Sequence, residues 1–244
     1  MPTFFFRNKD MKGPPTLFEL SRIVGGILHL CIPVIVYHIL YKDLLSQLSF
    51  TKDWNFVELH PNRKKLYMIL DIYYAVRWSL GCFIMNSKLT TPIAIIVSMK
   101  HLVCDELGYV VSSMLVTSYG YNPGTLVTRD YICAFMMFLA GILQHYSEIQ
   151  RYIFKLDVNN RGKIHTDGLF SLARGINHTG HVLRDIAHVI LSPNLFLIMI
   201  YLLADYDLVF EIFPETQVHM KTKYGDQWTK YETQTPYRFI PGIY

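Results

Sequence analysis

The sequence predicts an all-α fold, a polytopic integral membrane bundle with about five to seven membrane segments. Of its 244 residues, 51% are hydrophobic and only 17% are charged, which is too apolar for an ordinary soluble domain of this length. Several apolar stretches also approach the roughly 20 residues that a helix needs to cross a bilayer. No repeat or polar linker is visible. We therefore expect one membrane domain over residues 1–244, with the first spans in 1–150 and a distinct C-terminal half in 151–244.

Four apolar stretches in the first part of the chain are expected to be membrane helices. They are residues 23–48, 66–85, 92–119 and 131–146. The first contains Pro33, which a membrane helix tolerates as a kink. After a polar segment, two further stretches, 182–191 and 195–213, are separated at Pro193. Because 182–191 is too short to span a bilayer alone, we expect a tilted or re-entrant helical hairpin.

The loop after the fourth predicted span is rich in positive charge. Its basic residues are Arg151, Lys155, Arg161, Lys163 and Arg174. Since positively charged loops stay in the cytosol, we expect this loop and the C-terminal tail to be cytosolic. Arg63, Lys64 and Lys65 would then lie on the opposite side, against the same rule. The net charge of +4 is small and no long basic run occurs, so nucleic acid is not an expected partner.

Two predicted spans carry ionisable side chains at positions that would lie deep in the membrane. They are Asp71, Tyr73, Tyr74 and Arg77 in the second span and Lys100, His101, Asp105 and Glu106 in the third. An ionisable group at that depth is costly unless it is paired or faces a wet cavity, so we expect these groups to point into the bundle. An internal salt-bridge network and a substrate cavity both fit this pattern.

Two polar motifs stand in the C-terminal half. "GLFSLARGINHTGHVL" covers residues 168–183, and "KYGDQWTKYETQTPYRFIPGIY" covers 223–244. In the first motif, Arg174 offers a planar fork for phosphate or carboxylate, and Asn177 offers an amide for a nicotinamide or adenine edge. A neighbouring glycine allows a ligand to approach the backbone. An anion site and a capped turn with an interfacial arginine both fit these residue types.

Together the two motifs resemble the C-terminal half of the sterol C14/C7/C24 reductases. They more distantly resemble the steroid 5-alpha-reductase and isoprenylcysteine methyltransferase-like membrane superfamily. The resemblance covers about residues 141–244, with these tail positions in register: Lys223, Tyr224, Gly225, Trp228, Tyr231, Pro236, Tyr237, Arg238, Pro241 and Tyr244. It implies a cytosol-facing NADPH pocket closed by the tail. The residues that it implies as cofactor contacts are Arg174, Asn177, His178, Gly180, His181, Gln217, Lys223, Tyr224, Tyr237 and Arg238.

The chain departs from the family pattern at several pocket positions. Gly175 stands where the family has a histidine after the arginine. His178 stands where it has a tyrosine after the asparagine, and His181 stands where it has an acid after the glycine. Where the family carries R-D-E, residues 215–217 read Glu-Thr-Gln. These changes remove hydrogen-bond acceptors for ribose hydroxyls, or partners that orient Arg174.

The resemblance implies an oxidoreductase of the endoplasmic reticulum membrane that uses NADPH to reduce a carbon–carbon double bond in a sterol, steroid or related isoprenoid lipid. Side-chain chemistry and the expected depth in the membrane give four candidates for the proton donor: Asp71, Tyr73, Tyr74 and Glu106. An S-adenosylmethionine-dependent membrane methyltransferase stays open, as does a relative repurposed as a lipid isomerase, cyclase or binding protein. The histidines lack the HxxHH boxes of membrane desaturases, so no metal is expected.

Overall fold

The computed structural model describes residues 15–51, 56–85, 107–115 and 124–243. Within these ranges the chain is helical, and the only β contact is an isolated bridge between Phe56 and Leu115. The α-helices are α1 Pro15–Tyr41, α2 Leu44–Gln47, α3 Pro61–Met85, α4 Gly108–Met114, α5 Thr128–Leu156, α6 Ile176–Leu191, α7 Leu195–Asp207, α8 Phe213–Tyr224 and α9 Asp226–Gln234. A π-helical turn, Leu208–Ile212, joins α7 to α8. The all-α prediction is confirmed for the described part of the chain.

The first helix ends earlier than predicted. Pro33 lies inside α1, as expected. The helix stops at Tyr41, and Asp43 then adopts a left-handed backbone conformation with a φ of 50° before α2 begins. A non-glycine residue rarely adopts this conformation, and it interrupts the helical path. The predicted boundary at residue 48 is therefore wrong.

The second and fourth predicted stretches, 66–85 and 131–146, lie inside α3 and α5, which extend beyond them. Of the third predicted stretch, 92–119, the structure describes only residues 107–115, which contain α4. The ionisable residues of that stretch lie outside the described residues: Lys100, His101, Asp105 and Glu106.

The break between the last two predicted helices is observed. Helix α6 ends at Leu191 and α7 begins at Leu195. The side-chain oxygen of Asn194 accepts a hydrogen bond from the backbone nitrogen of Phe196 at 2.9 Å, which caps the start of α7.

The chain divides into two compact units. The first comprises Met1–Ala134 and His188–Ile198, and the second comprises Phe135–Ala187 and Met199–Tyr244. Helices α5, α6 and α7 contribute residues to both. The described proton-donor candidates belong to the first unit, whereas the predicted cofactor residues belong to the second.

In the first unit, α1 packs closely against α3. Ser79 Oγ donates to the carbonyl oxygen of Gly26 at 3.0 Å, and the rings of His29 and Trp78 stack with centroids 5.9 Å apart. A Cβ on Gly26 would collide with the ring of Phe83. The glycine therefore permits this close approach of the two helices.

Helix α3 buries two charged side chains and exposes several large apolar ones. Asp71 is 0% exposed and Arg77 is 7% exposed, so both point into the first unit, as predicted. The guanidinium carbon of Arg77 lies 4.2 Å from the centre of the Tyr74 ring, a cation–π contact. The large apolar side chains that α3 exposes are Ile69, Ile72, Val76 and Leu80. Among the described helices, however, α3 is not one that is apolar enough by composition to cross a membrane, so the span predicted at residues 66–85 stays a prediction.

Two described segments are long and apolar enough to cross a membrane, by length and composition: Ile23–Tyr41 and Thr128–Leu156. Large apolar side chains point outward from both, such as Val34 at 58% and Phe135 at 67% exposure. Extended apolar outer surfaces favour lipid over water. The number of spans and the cytosolic position of the tail stay predictions.

A buried ion pair joins the start of α3 to the start of α5. Arg63 Nη1 and Nη2 donate to the two carboxylate oxygens of Asp130 at 2.9 and 2.7 Å, and neither side chain is more than 1% exposed. Asp130 also accepts from the backbone nitrogen of Val127 at 2.9 Å. Lys64 pairs with Glu58 at 3.1 Å. Arg63 and Lys64, which oppose the positive-inside rule in the predicted topology, are thus neutralised locally.

Candidate functional site

The C-terminal tail is hydrogen-bonded to the turn that carries Arg174. The backbone nitrogen of Arg174 donates to the carbonyl oxygen of Tyr237 at 3.0 Å, and that of Gly175 donates to the carbonyl oxygen of Arg238 at 2.7 Å. The side chains of Tyr237 and Arg238 are exposed, so the tail makes these two contacts through its backbone. The two sequence motifs therefore meet in the folded chain.

Gly175 leaves no room for a side chain at this junction. A Cβ there would lie 2.6 Å from Phe213 Cε2 and 2.8 Å from the Arg238 carbonyl oxygen. The Phe213 ring packs on Phe239 with centroids 4.3 Å apart, and Thr179 Oγ1 donates to the Phe239 carbonyl oxygen at 2.6 Å. A side chain at this position, such as the histidine of the family pattern, would collide with the tail as it lies in this structure.

Helix α9 is anchored beside the turn by a small hydrophobic core. The buried members of this core are Phe170, Ala173, Ile176, Trp228 and Tyr231. Tyr231 Oη donates to the Phe170 carbonyl oxygen at 2.6 Å, and burial raises the pKa of its hydroxyl. Tyr224 packs against the same core. These aromatic residues thus hold the tail in place, and a contact of Tyr224 with a cofactor stays a prediction.

The side chain of Arg174 is buried close to Glu232. Arg174 Nη1 lies 3.6 Å from Glu232 Oε1, and the two side chains are 7% and 31% exposed. Burial lowers the pKa of Arg174, the Glu232 carboxylate opposes this effect, and the charge of Arg238 reinforces it. Arg174 Nε is buried and has no hydrogen-bond partner among the described residues. The guanidinium group therefore retains an unused donor.

Asn177 is held by a second carboxylate. Its Nδ2 donates to Glu148 Oε1 at 3.0 Å, and Glu148 also pairs with Arg151. The sequence reasoning missed both carboxylates. Glu148 stands three residues before Arg151, the spacing of a helical ion pair, which was an available signal. Glu232 stands in the quoted tail at a position where the family pattern specifies no residue, so no motif marked it.

His178 and Gln217 each contribute a buried polar atom to the second unit. Within the described residues, His178 Nδ1 and Gln217 Oε1 lack hydrogen-bond partners. Burial lowers the pKa of His178 to about 4, and the positive charge of Arg151 contributes. The His178 ring lies 6.0 Å from the ring of Phe213 and 6.3 Å from that of His181. His178 is therefore neutral at physiological pH.

Gly180 and Lys223 have local contacts away from the Arg174 turn. A Cβ on Gly180 would lie 2.6 Å from the Ala140 carbonyl oxygen and 2.7 Å from Gln144 Cγ, so the glycine lets α6 pack closely on α5. Lys223 is exposed, and its ammonium group lies 4.9 Å from the centre of the Tyr224 ring. Their contact with a cofactor stays a prediction.

The described proton-donor candidates lie within one turn of α3. Tyr74 is 2% exposed, and its ring lies 6.2 Å from that of His188, a residue that was not a predicted proton donor. Asp71 is fully buried and Tyr73 partly buried, while Glu106 lies outside the described residues. Where the structure describes the chain, no group of three or more His, Cys, Asp or Glu residues is placed to hold a metal ion.

A cleft of about 270 Å³ opens between the segment after residue 162 and α9. It is lined by Phe154, Lys163, Ile164, Thr166, Gln227, Lys230, Tyr231 and Gln234. Gln227 connects the two walls, since its Oε1 accepts from Ile164 N at 3.3 Å and its Nε2 donates to the Gly162 carbonyl oxygen at 3.3 Å. The predicted cofactor residues do not line this cleft.

In this structure, the segment with Arg174 and Asn177 is closed by the aromatic C-terminal tail on an apolar helical scaffold. The resemblance to membrane-embedded sterol reductases implies the same arrangement. The model of the Ergosterol biosynthesis ERG4/ERG24 family matches residues 143–244. This match spans both motifs and confirms the predicted resemblance over the C-terminal part of the chain. The family is of the sterol reductase type and is membrane-embedded. A comparison with curated proteins finds no match.

Proposed function

We propose that the chain is a membrane-embedded reductase that uses NADPH or NADH to reduce a carbon–carbon double bond in a sterol, steroid or related isoprenoid lipid. The family match over residues 143–244 supports this reaction class. When bound, the nicotinamide supplies a hydride to one carbon while a proton adds to the other, so that the double bond becomes a single bond.

The observation that carries the proposal is a set of buried polar atoms without partners. Arg174 Nε, His178 Nδ1 and Gln217 Oε1 are buried and make no hydrogen bond within the described residues. A buried polar atom without a partner costs about 1–3 kcal/mol, so such atoms are usually satisfied by a ligand or water. All three belong to residues that the family resemblance assigns to the cofactor, and each can exchange a hydrogen bond with a polar ligand such as a nucleotide.

Each of these side chains can make a particular contact with a nucleotide in the proposed site. Arg174 can donate to a phosphate oxygen, and Arg238 adds a second positive charge nearby. His178, being neutral, can exchange a hydrogen bond with a ribose or amide group without repelling a cationic neighbour. The Phe213 and Phe239 rings pack on each other, and Phe213 lies beside Gly175 in this turn.

The proton donor stays a proposal among the four predicted candidates, Asp71, Tyr73, Tyr74 and Glu106. A tyrosine hydroxyl is an acid that keeps its proton at neutral pH and so can donate it. We expect Tyr74→Phe to slow turnover and to leave nucleotide binding unchanged.

The test is a nucleotide titration of the purified protein. Arg174→Ala removes a charge-assisted hydrogen bond of about 1.5–3 kcal/mol, so it should weaken NADPH binding roughly tenfold to a hundredfold. Arg161→Ala is the matched control, because it removes the same charge from an exposed loop position. If neither NADPH nor NADH binds to the wild-type protein, the reductase proposal fails.

A relative that has lost redox chemistry is the second candidate. It is favoured by the hydrogen bond from Asn177 to Glu148, which occupies an amide that a cofactor would use, and by the Glu232 carboxylate 3.6 Å from Arg174, which offsets the charge of the guanidinium group. The same titration separates the two candidates. If the pocket has only drifted, His181→Asp combined with Gln217→Glu should strengthen NADPH binding. If the chain is a repurposed relative, neither form should bind.

A further inference from the structure

We propose that the cleft between α9 and the segment after residue 162 binds the headgroup of an anionic phospholipid. The two lysines of its lining contact the phosphodiester, and its uncharged polar side chains contact the hydroxyl groups of the headgroup. None of the predicted cofactor residues lines this cleft. It is therefore a second site, whose ligand is not the nucleotide of the proposed reaction.

The charge of the lining selects an anion. Lys163 and Lys230 are exposed, and neither forms an ion pair within the described residues. No acidic side chain lines the cleft, and its other polar side chains are Thr166, Gln227 and Gln234. Their hydroxyl and amide groups suit a headgroup that carries both a phosphodiester and hydroxyl groups, such as that of phosphatidylinositol. A zwitterionic headgroup brings its own cation, which the lysines repel.

The walls of the cleft are held by contacts behind them. The Phe154 ring packs on the ring of His165 with centroids 4.9 Å apart, and His165 packs in turn on Phe170 at 5.6 Å. In the α9 wall, Tyr231 Oη donates to the Phe170 carbonyl oxygen at 2.6 Å. Both walls are thus attached to Phe170. A site that is already formed loses little conformational entropy when a ligand binds.

The cleft lies at the end of a helix that is long and apolar enough to cross a membrane. This helix is α5, Thr128–Leu156, and Phe154 in its last turn lines the cleft. Three large apolar side chains around this end are between 60% and 63% exposed: Ile153, Leu156 and Val158. Apolar side chains beside cations are typical of a segment in the headgroup layer. Phospholipid phosphates are abundant there, and the acyl chains of a bound lipid can stay in the bilayer.

The size of the cleft also favours a headgroup over a nucleotide. Its volume of about 270 Å³ is below the roughly 300–1,000 Å³ of pockets that enclose drug-sized ligands. A dinucleotide is too large to be enclosed in this space. A headgroup can enter it while the rest of the lipid stays outside.

The test is a titration of the protein, purified in uncharged detergent, with dioctanoyl-phosphatidylinositol and dioctanoyl-phosphatidylcholine. Lys163→Gln combined with Lys230→Gln is the cleft variant. Lys65→Gln combined with Lys221→Gln is the matched control, because it removes the same charge from exposed positions outside the cleft. The wild type and the control should bind phosphatidylinositol about tenfold more tightly than phosphatidylcholine, and the cleft variant should lose this preference. Thermal unfolding checks that all forms are folded.

Equal affinity of the wild type for the two lipids overturns the inference, and so does a preference that the cleft variant retains. Glycerophosphoinositol, the same headgroup without acyl chains, separates a lipid from a soluble phosphate. It should bind much more weakly than the lipid, and equal binding would assign the cleft to a soluble ligand and overturn the lipid proposal.

A titration with NADPH separates this site from the proposed function. NADPH should bind the cleft variant as tightly as the wild type. If NADPH displaces the lipid and binds the cleft variant more weakly, the cleft belongs to the nucleotide, and the inference fails while the proposed function stands. If no form binds NADPH or NADH but phosphatidylinositol binds as expected, the proposed function fails and the lipid site stands.

Discussion

The backbone nitrogen of Gly175 donates to the carbonyl oxygen of Arg238 at 2.7 Å, across more than sixty residues of sequence. This bond and its neighbour from Arg174 to Tyr237 place the C-terminal tail on the turn before α6. Since a Cβ on Gly175 would lie 2.8 Å from the same carbonyl oxygen, the contact depends on the absence of a side chain.

Gly175→Ala should therefore loosen the tail. The added methyl group collides with the Phe213 ring and the tail backbone, and overpacking of this kind costs about 1–3 kcal/mol. We expect a lower unfolding temperature and faster proteolysis after residue 234. Leu172→Ala, at an exposed position in the same loop, is the control. Equal stability and protease resistance in the two variants would show that the tail does not depend on this contact.

The buried pair of Arg63 and Asp130 should be important for folding of the first unit. Removing one partner leaves a buried charge without compensation, at a cost of about 3–5 kcal/mol. Arg63→Met alone should thus strongly reduce the unfolding temperature in detergent, while Arg63→Met combined with Asp130→Leu should recover much of it. Lys65→Met, at an exposed position, is the control. A double variant less stable than the single one would contradict this account.

The stability of the protein should depend on pH through His178. Its pKa is about 4 in the folded chain, below the usual value of 6.5, so the unfolded chain binds more protons between these values. The free energy of unfolding therefore has its full value above pH 6.5 and decreases as the pH falls towards 4. At about 1.4 kcal/mol per pKa unit, the loss is roughly 3 kcal/mol.

The measurement is the free energy of unfolding at pH 7 and pH 4.5 for the wild type and His178→Gln. The wild type should lose more stability than the variant over this range. His60→Gln controls for the removal of a histidine elsewhere. Parallel pH curves for the wild type and His178→Gln would refute a buried neutral imidazole.

The loop after α5 and helix α9 should lie on the same side of the membrane. Gln227 joins α9 to the backbone of Gly162 and Ile164. Cysteines introduced at the exposed positions Asn159 and Thr233 should therefore react alike with a membrane-impermeant thiol reagent in sealed vesicles. We expect both to react from the cytosolic side, and permeabilised vesicles serve as the control. Labelling from opposite sides would exclude the observed packing in the membrane.

The sequence predicted the helical class well because bilayer thickness imposes long apolar stretches, and α3 and α5 lie where such stretches occur. It did not predict the end of α1. The left-handed conformation that follows this helix is adopted by Asp43 and not by a glycine, the residue type that usually indicates such a conformation in a sequence. Helix boundaries therefore depended on local backbone geometry that composition does not encode.

The candidate site was predictable only in part. The register of the two motifs brought Arg174 and the tail together, as the structure shows. It did not reveal that the tail binds through backbone atoms, which any residue carries. Nor did it reveal the contacts of Glu148 with Asn177 and of Glu232 with Arg174, because these contacts arise where α5 packs on α6 and where α9 packs on the turn before α6.

Transfer of deuterium from labelled nucleotide to lipid tests the reductase proposal most directly. The purified protein is incubated with NADPH or NADH carrying deuterium at the transferable position, together with a total sterol and isoprenoid extract of membranes, and the lipids are analysed by mass spectrometry. The account predicts a reduced lipid that has gained one deuterium from the nucleotide and one proton from the medium, and much less of it with Arg174→Ala. If folded wild-type protein transfers no deuterium to any lipid of the extract, the chain is not the reductase proposed.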